Sequence, residues 1–144
     1  MVASSSRMPP KMTLPEIEAL LDQVFPDWRG FNTITELGEK TLTLRMPFKK
    51  GLLRAGGTIS GPAMMALADT AAYYLTLAHA GPVASAATAN LDIHFLARPE
   101  PVDVTAVATM LRLGRRLSVS VVDLFSNGTL VAHATVTYAL PPSK

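Results

Sequence analysis

At 144 residues the chain is long enough to bury one substantial core and too short for several domains. Hydrophobic residues make up 49% of it, yet no apolar run reaches bilayer length, so the surplus is expected at an interface between subunits rather than in a membrane. A net charge of +2 with no basic arm and no aromatic RNA-binding motif argues against nucleic acid, and the absence of cysteine excludes disulfides, thiolate metal sites and cysteine nucleophiles.

In chain order, residues 1–12 have no apolar core of signal-peptide length and are expected to be a disordered N-terminus on a cytoplasmic protein; residues 13–144 form the single domain. Thr13 and Glu16 form a capping box, and Ile17, Leu20, Leu21, Val24 and Phe25 follow at the spacing of one apolar helix face, closed by Pro26. Residues 31–37 and 40–48 read as strands; in the second, Leu42, Leu44, Met46 and Phe48 alternate with Thr41, Thr43 and Arg45. A basic loop over 49–54 leads into Gly56, Gly57 and Gly61, and then into a run of good helix formers. With Ser60 as N-cap, Gly61 and Pro62 take the first two helical positions and the Ser60 hydroxyl can reach the Ala63 N–H. The helix is expected over 62–80, roughly 28 Å long, and Gly81-Pro82 stops it.

Four strands follow, over 87–96, 102–113, 117–125 and 130–140, joined by short turns at 98–101, 114–116 and 126–128. In the first of them, Leu91, Ile93 and Phe95 are expected on one side, with Thr88, Asn90, Asp92 and His94 on the other. Short connections force antiparallel pairing. Long antiparallel strands need one face covered, and the apolar helix is the obvious cover. The class is α+β, a curled antiparallel sheet wrapped around one long central helix, which is the hotdog fold.

Asp69 is the only formally charged side chain between Ala55 and Leu91. Two readings are open: a place on a narrow solvent stripe with Thr70, Tyr73 and Thr76, or a catalytic base or nucleophile. The histidines at 79, 94 and 133 lack metal-ligand spacing, no P-loop lysine is present, and Gly57-x-x-Ser60-Gly61 is not a nucleophile elbow.

Gly57-Thr58-Ile59-Ser60-Gly61-Pro62 with Leu67-Ala68-Asp69 resembles the signature of the PaaI-type acyl-CoA thioesterases of the hotdog superfamily, and the similarity extends from about Phe31 to Leu140. It continues through Thr88-Ala89-Asn90-Leu91-Asp92, Leu113-Gly114-Arg115-Arg116 and Asn127-Gly128-Thr129-Leu130. The resemblance implies Asp69 as base or nucleophile, the Gly61 amide as oxyanion donor and Thr88 as the hydroxyl that orients water. Ser60 stands where the family usually has His, and Arg54 where several relatives have Asn or Gln. Implied substrate contacts are Pro62, Tyr73 and Arg54. Arg98, Arg115, Arg116, Lys49 and Lys50 are the candidates for the coenzyme A phosphates, and Tyr74, Met64 and Met65 could join Tyr73 around an acyl group. No metal and no cofactor beyond the coenzyme A of the substrate is implied.

Gly61 and Asp69 lie eight residues apart on one helix, roughly 12 Å along its axis. Both can serve one carbonyl only if they come from different chains, so a homodimer or a dimer of dimers is expected. A non-catalytic acyl-CoA sensor is the alternative to hydrolysis. A hotdog hydratase or dehydratase would need a catalytic histidine on the helix beside an acid, a pattern absent here.

Overall fold

The computed structural model describes residues 7–142. Helix α1 spans Leu14–Val24, β1 Thr33–Leu37, β2 Thr41–Met46, α2 Gly61–Ala80, β3 Ala87–Phe95, β4 Val104–Leu113, β5 Leu117–Ser126 and β6 Thr129–Ala139. All six strands form one antiparallel sheet in the order β1-β2-β4-β5-β6-β3, so β1 and β3 are the edges. This is the hotdog architecture. The expected elements are all present, with ends shifted by at most two residues. One two-residue shift is at 31–32, where Trp28–Gly30 winds into a short 3-10 turn and delays the start of β1.

Alternation decides the inner face of the sheet. Val104, Ala106, Ala108 and Met110 of β4, with Val122 and Leu124 of β5 and Ala134 and Val136 of β6, are buried beneath α2. Many of these are alanines, and α2 answers with Ala68, Ala71, Ala72 and Ala78, all buried. Small side chains on both surfaces let helix and sheet approach closely, which is how a narrow sheet can curl around a helix without voids. Over its C-terminal half α2 is enclosed on every side, as its uniform hydrophobicity requires.

Both helix starts follow the sequence. Thr13 and Glu16 exchange the two capping-box bonds, and the Ser60 hydroxyl accepts from the Ala63 N–H at 3.2 Å. At the other end of α2, Gly81 adopts φ of 105° and its N–H bonds to Leu77 O. The expected disorder over 1–12 is corrected for 7–12, while 1–6 lie outside the described residues. Lys11 and Met12 donate their N–H groups to Ala78 O at 2.8 and 3.1 Å, and Lys40 N–H bonds to Met8 O. A carbonyl in the last turn of a helix has no partner of its own, and this segment supplies one. The buried His79 ties the same corner, its Nδ1 on Leu75 O and its Nε2 beside Met8 O and the Lys40 N–H.

Candidate active site

Asp69 lies in the third turn of α2, half-buried. The solvent-facing row of this helix is Pro62, Met65, Ala66 and then Asp69, at the i, i+3, i+4 and i+7 spacing of one face. The alternative stripe through Tyr73 and Thr76 is corrected. Tyr73 is buried with its hydroxyl on Ala84 O at 2.7 Å, and Thr76 is buried between Ala72 O and the Ser118 hydroxyl. Beyond Thr70 the curled sheet and the loop before β3 close over the helix.

Two hydroxyls converge on the Asp69 carboxylate. Thr88 Oγ1 donates to Oδ1 at 2.8 Å and Tyr138 Oη donates to the same Oδ1 at 2.7 Å. Among the described residues no protein group bonds Oδ2. Thr88 belongs to the helix-facing side of β3, not to the side of Asn90, Asp92 and His94 where strict alternation puts it. A bulge between Thr88 and Asn90 inserts one residue, so that Thr88 pairs with Tyr138 while Asn90 pairs with Thr137. One extra residue turns every position before it to the opposite face. Tyr138 is missing from the sequence-derived site. The available signal is the inward row Ala132, Ala134, Val136, Tyr138 on β6, which ends in an aromatic whose hydroxyl needs a buried partner.

Burial pushes the phenols of all three tyrosines, Tyr73, Tyr74 and Tyr138, above their ordinary value, and the Tyr138 phenol is raised further by the Asp69 carboxylate beside it. Tyr74 reaches about 12. A phenol with a raised folded-state pKa favours the fold while neutral. That contribution is complete below the unfolded value near 10 and fades as pH rises through the folded value. For Tyr74 the window of loss runs from 10 to about 12. In a titration of tyrosinate absorbance, no tyrosine is expected to ionise with an ordinary midpoint. The signal should rise together with alkaline unfolding followed by circular dichroism.

Beside Thr88 and Tyr138 opens a cavity of about 770 Å³. Phe25, Trp28, Phe31, Met46, Tyr73 and Tyr74 line it. Edge-to-face pairs Phe25–Tyr73 and Trp28–Tyr74, each with centroids 5.9 Å apart, brace the wall. The Tyr74 hydroxyl is spent on Asn32 Oδ1 at 3.1 Å, which leaves the rings as an apolar surface. Of the four expected pocket residues, Tyr73 and Tyr74 line the cavity. Met64 is buried in the core and Met65 is exposed on the row that carries Asp69, so neither lines it.

The Gly61 N–H opens α2, and among the described residues it makes no hydrogen bond. With Ser60 as cap and Pro62 next, it is a donor at the positive end of the helix dipole. The Phe95 ring lies 3.5 Å from where a Cβ at 61 would stand, an ordinary contact, so crowding in the fold does not demand glycine here. Gly61 is thus beside the end of β3 and Asp69 beside its start; the strand residues they meet, Phe95 and Thr88, are seven positions and about 20 Å apart along the strand.

The basic candidates do not form one cluster. Arg115 and Arg116 lie in the β4–β5 turn, and Arg98 follows β3 at the opposite end of the sheet, all three exposed. Arg54 is exposed in a turn closed by its own N–H on Thr58 O and the Gly57 N–H on its carbonyl. Lys50 is also exposed. Lys49 alone lines the cavity, its ammonium on Gly30 O and 5.7 Å from the Phe31 ring centroid. His94 lies on the outer sheet face opposite His133, which bonds Asp123 at 2.6 Å. Among the described residues no three His, Cys, Asp or Glu side chains are grouped to hold a metal, and no helix is long and apolar enough to cross a membrane.

Comparison with known proteins bears on the fold and the family. Residues 56–133 match the thioesterase superfamily, a span that holds Gly61, Asp69 and Thr88 and stops before Tyr138. A solved candidate thioesterase of Silicibacter sp. is 40% identical, with a TM-score of 0.84 over 94% of this chain and 96% of its own. Zebrafish thioesterase superfamily member 2 shares the fold at a TM-score of 0.76 and 20% identity, over 91% of this chain and all of its own. A candidate esterase of Thermoplasma acidophilum is 28% identical over 106 residues, 73% of this chain and 80% of its own length. With its fold shared and over half its length matched, the chain belongs to the thioesterase superfamily.

Proposed function

We propose that the protein is an acyl-CoA thioesterase of the PaaI type, hydrolysing a thioester to a free acid and coenzyme A. The observation that carries the reading is the lone helix carboxylate, fixed through one oxygen and unbonded at the other, next to an apolar cavity of acyl-group size. As a base, Asp69 takes a proton from water while the hydroxide adds to the thioester carbon. The C–S bond then breaks and the thiolate leaves with that proton. As a nucleophile, the carboxylate oxygen bonds to the carbonyl carbon, the thiolate departs, and water cleaves the resulting anhydride. In both routes the carbonyl oxygen gains charge that a free N–H at a helix start is suited to hold. Ser60, in the position of the family's usual histidine, acts as the helix cap.

The second half of the site comes from a second copy of the chain. β3 is a nine-residue edge with one charged side chain, Asp92, and Phe95 and Leu96 at its end are exposed, as is Met65 on α2. An open edge of this length is a template for another strand. Antiparallel pairing of two β3 strands about an axis between Leu91 and Asp92 sets position 88 of one chain against position 95 of the other. Asp69 then meets Gly61 of the partner subunit, and the same pairing carries Arg98 of the partner subunit toward the end of the sheet that bears Arg115 and Arg116. The proposed site therefore has the acid, the donor and the cations for the coenzyme A phosphates at one place.

A panel of aliphatic and aryl acyl-CoAs assayed by thiol release tests the reading. Turnover on part of the panel, with no added metal or cofactor, is expected. Binding of the esters with no thiol released on any would instead make the protein an acyl-CoA sensor.

A further inference from the structure

We infer that Tyr138 is a positioning residue of the reaction: with Thr88 it pins Asp69 Oδ1 and so makes Oδ2 the oxygen that takes the proton or attacks the carbonyl. This deepens the reading of Asp69 as the reacting carboxylate and rests on it. Thr88 and Tyr138 are directly paired across β3 and β6, and the bulge after Thr88 turns its hydroxyl inward beside the phenol. Both hydroxyls then fall within 2.8 Å of one oxygen. A carboxylate oxygen offers two lone-pair directions, so two donors occupy Oδ1 fully. The Tyr138 hydroxyl also lies 3.2 Å from the Asp69 carbonyl, which fixes it against the helix backbone as well as the side chain.

The phenol is suited to this work. It is 5% exposed, and its ring is held against Tyr73 with centroids 5.6 Å apart, so it cannot follow the carboxylate into solvent. Burial, and then the adjacent Asp69, keep it protonated, so it remains a donor across the range in which a hydrolase works. Without it, the half-exposed Asp69 keeps one anchor and can swing about its side-chain bonds toward water. A displacement of about 1 Å in a reacting group is enough to cost roughly 100-fold in rate.

The test is steady-state thiol release by the wild type, Tyr138→Phe, Thr88→Val, the double variant and Asp69→Asn, with melting temperatures for each. Phenylalanine keeps the ring and its packing, so Tyr138→Phe should fold. It should lose about 10- to 100-fold in kcat with KM changed by less than about threefold. Because both hydroxyls hold one atom, the double variant should be about as slow as the slower single variant rather than the product of the two. A purely structural tyrosine would instead lower the melting temperature or raise KM, and its effect would multiply with that of Thr88→Val. Full kcat in Tyr138→Phe, or a loss confined to KM, overturns the assignment even where Asp69→Asn is inactive. If Asp69→Asn turns over normally, or the wild type hydrolyses none of the esters, the reading of Asp69 has failed and the positioning role with it.

Discussion

Asp69→Asn is expected to lower kcat/KM for a good acyl-CoA by about 1,000-fold, within the 10²–10⁴ range that a positioned acid–base group contributes. The size of the loss follows from how little else at the site can replace the carboxylate. From Ala55 to Leu91 no other side chain carries formal charge, and His79, the one imidazole on α2, is buried at the far corner against Met8 and Lys40. Thr88 and Tyr138 are donors already committed to Asp69. Asparagine has the same shape, and its amide oxygen can still accept from both hydroxyls. The melting temperature should therefore stay within a few degrees of wild type. Loss of an acid–base group falls on kcat, whereas loss of a shared binding contact falls on KM. The variant should accordingly retain binding of acyl-CoA, measurable by calorimetry, while releasing thiol about 1,000-fold more slowly. Turnover within about tenfold of wild type would remove Asp69 from the chemistry.

The fold was legible because its signals are local. Ser60, Pro62 and Gly81 punctuate α2 within one turn of its ends, and Thr13 with Glu16 does the same for α1. Strand alternation in β2, β4, β5 and β6 can be read off the residues themselves. The candidate site was half legible for the same reason. Asp69 stands out as an isolated charge in an apolar run, and Gly61 as the first residue of a capped helix. What escaped depends on pairing between distant parts of the chain. The Thr88 side chain points inward only because Ala89 is an extra residue relative to β6, and no local pattern marks that register shift. Tyr138 gains its role from a helix 69 positions away. Met8, Lys11 and Met12 are polar or flexible by composition, yet the last turn of α2 needs their backbone. Cations spread over turns could not be sorted from sequence, since only the sheet topology puts Arg98 at the opposite end from Arg115 and Arg116.

A mixture of Asp69→Asn with Gly61→Pro should recover about one quarter of wild-type activity, although each variant alone is nearly inactive. Proline at 61 removes the donor. The first position of a helix accepts proline, and Ser60 before it is already extended at φ −70° and ψ 151°, whereas a helical residue directly before Pro62 is disfavoured. Circular dichroism and a melting temperature near those of the wild type are therefore the control that the helix forms with its first N–H gone. Loss of one oxyanion donor is worth about 10²–10³ in kcat. In a dimer that shares its sites, a heterodimer of the two variants gathers both defects into one site and leaves the other with an intact Asp69 and an intact Gly61. Random exchange makes half of the dimers mixed, each with one working site of two, which gives the expected quarter. If each chain instead built its own site, every site in the mixture would carry one defect and no activity would return. The experiment thus separates two arrangements that the helix spacing already sets apart: roughly 12 Å of helix stands between Gly61 and Asp69 of one chain. An aspartate side chain does not reach across that gap, so activity restored by mixing is the outcome the proposed shared site predicts.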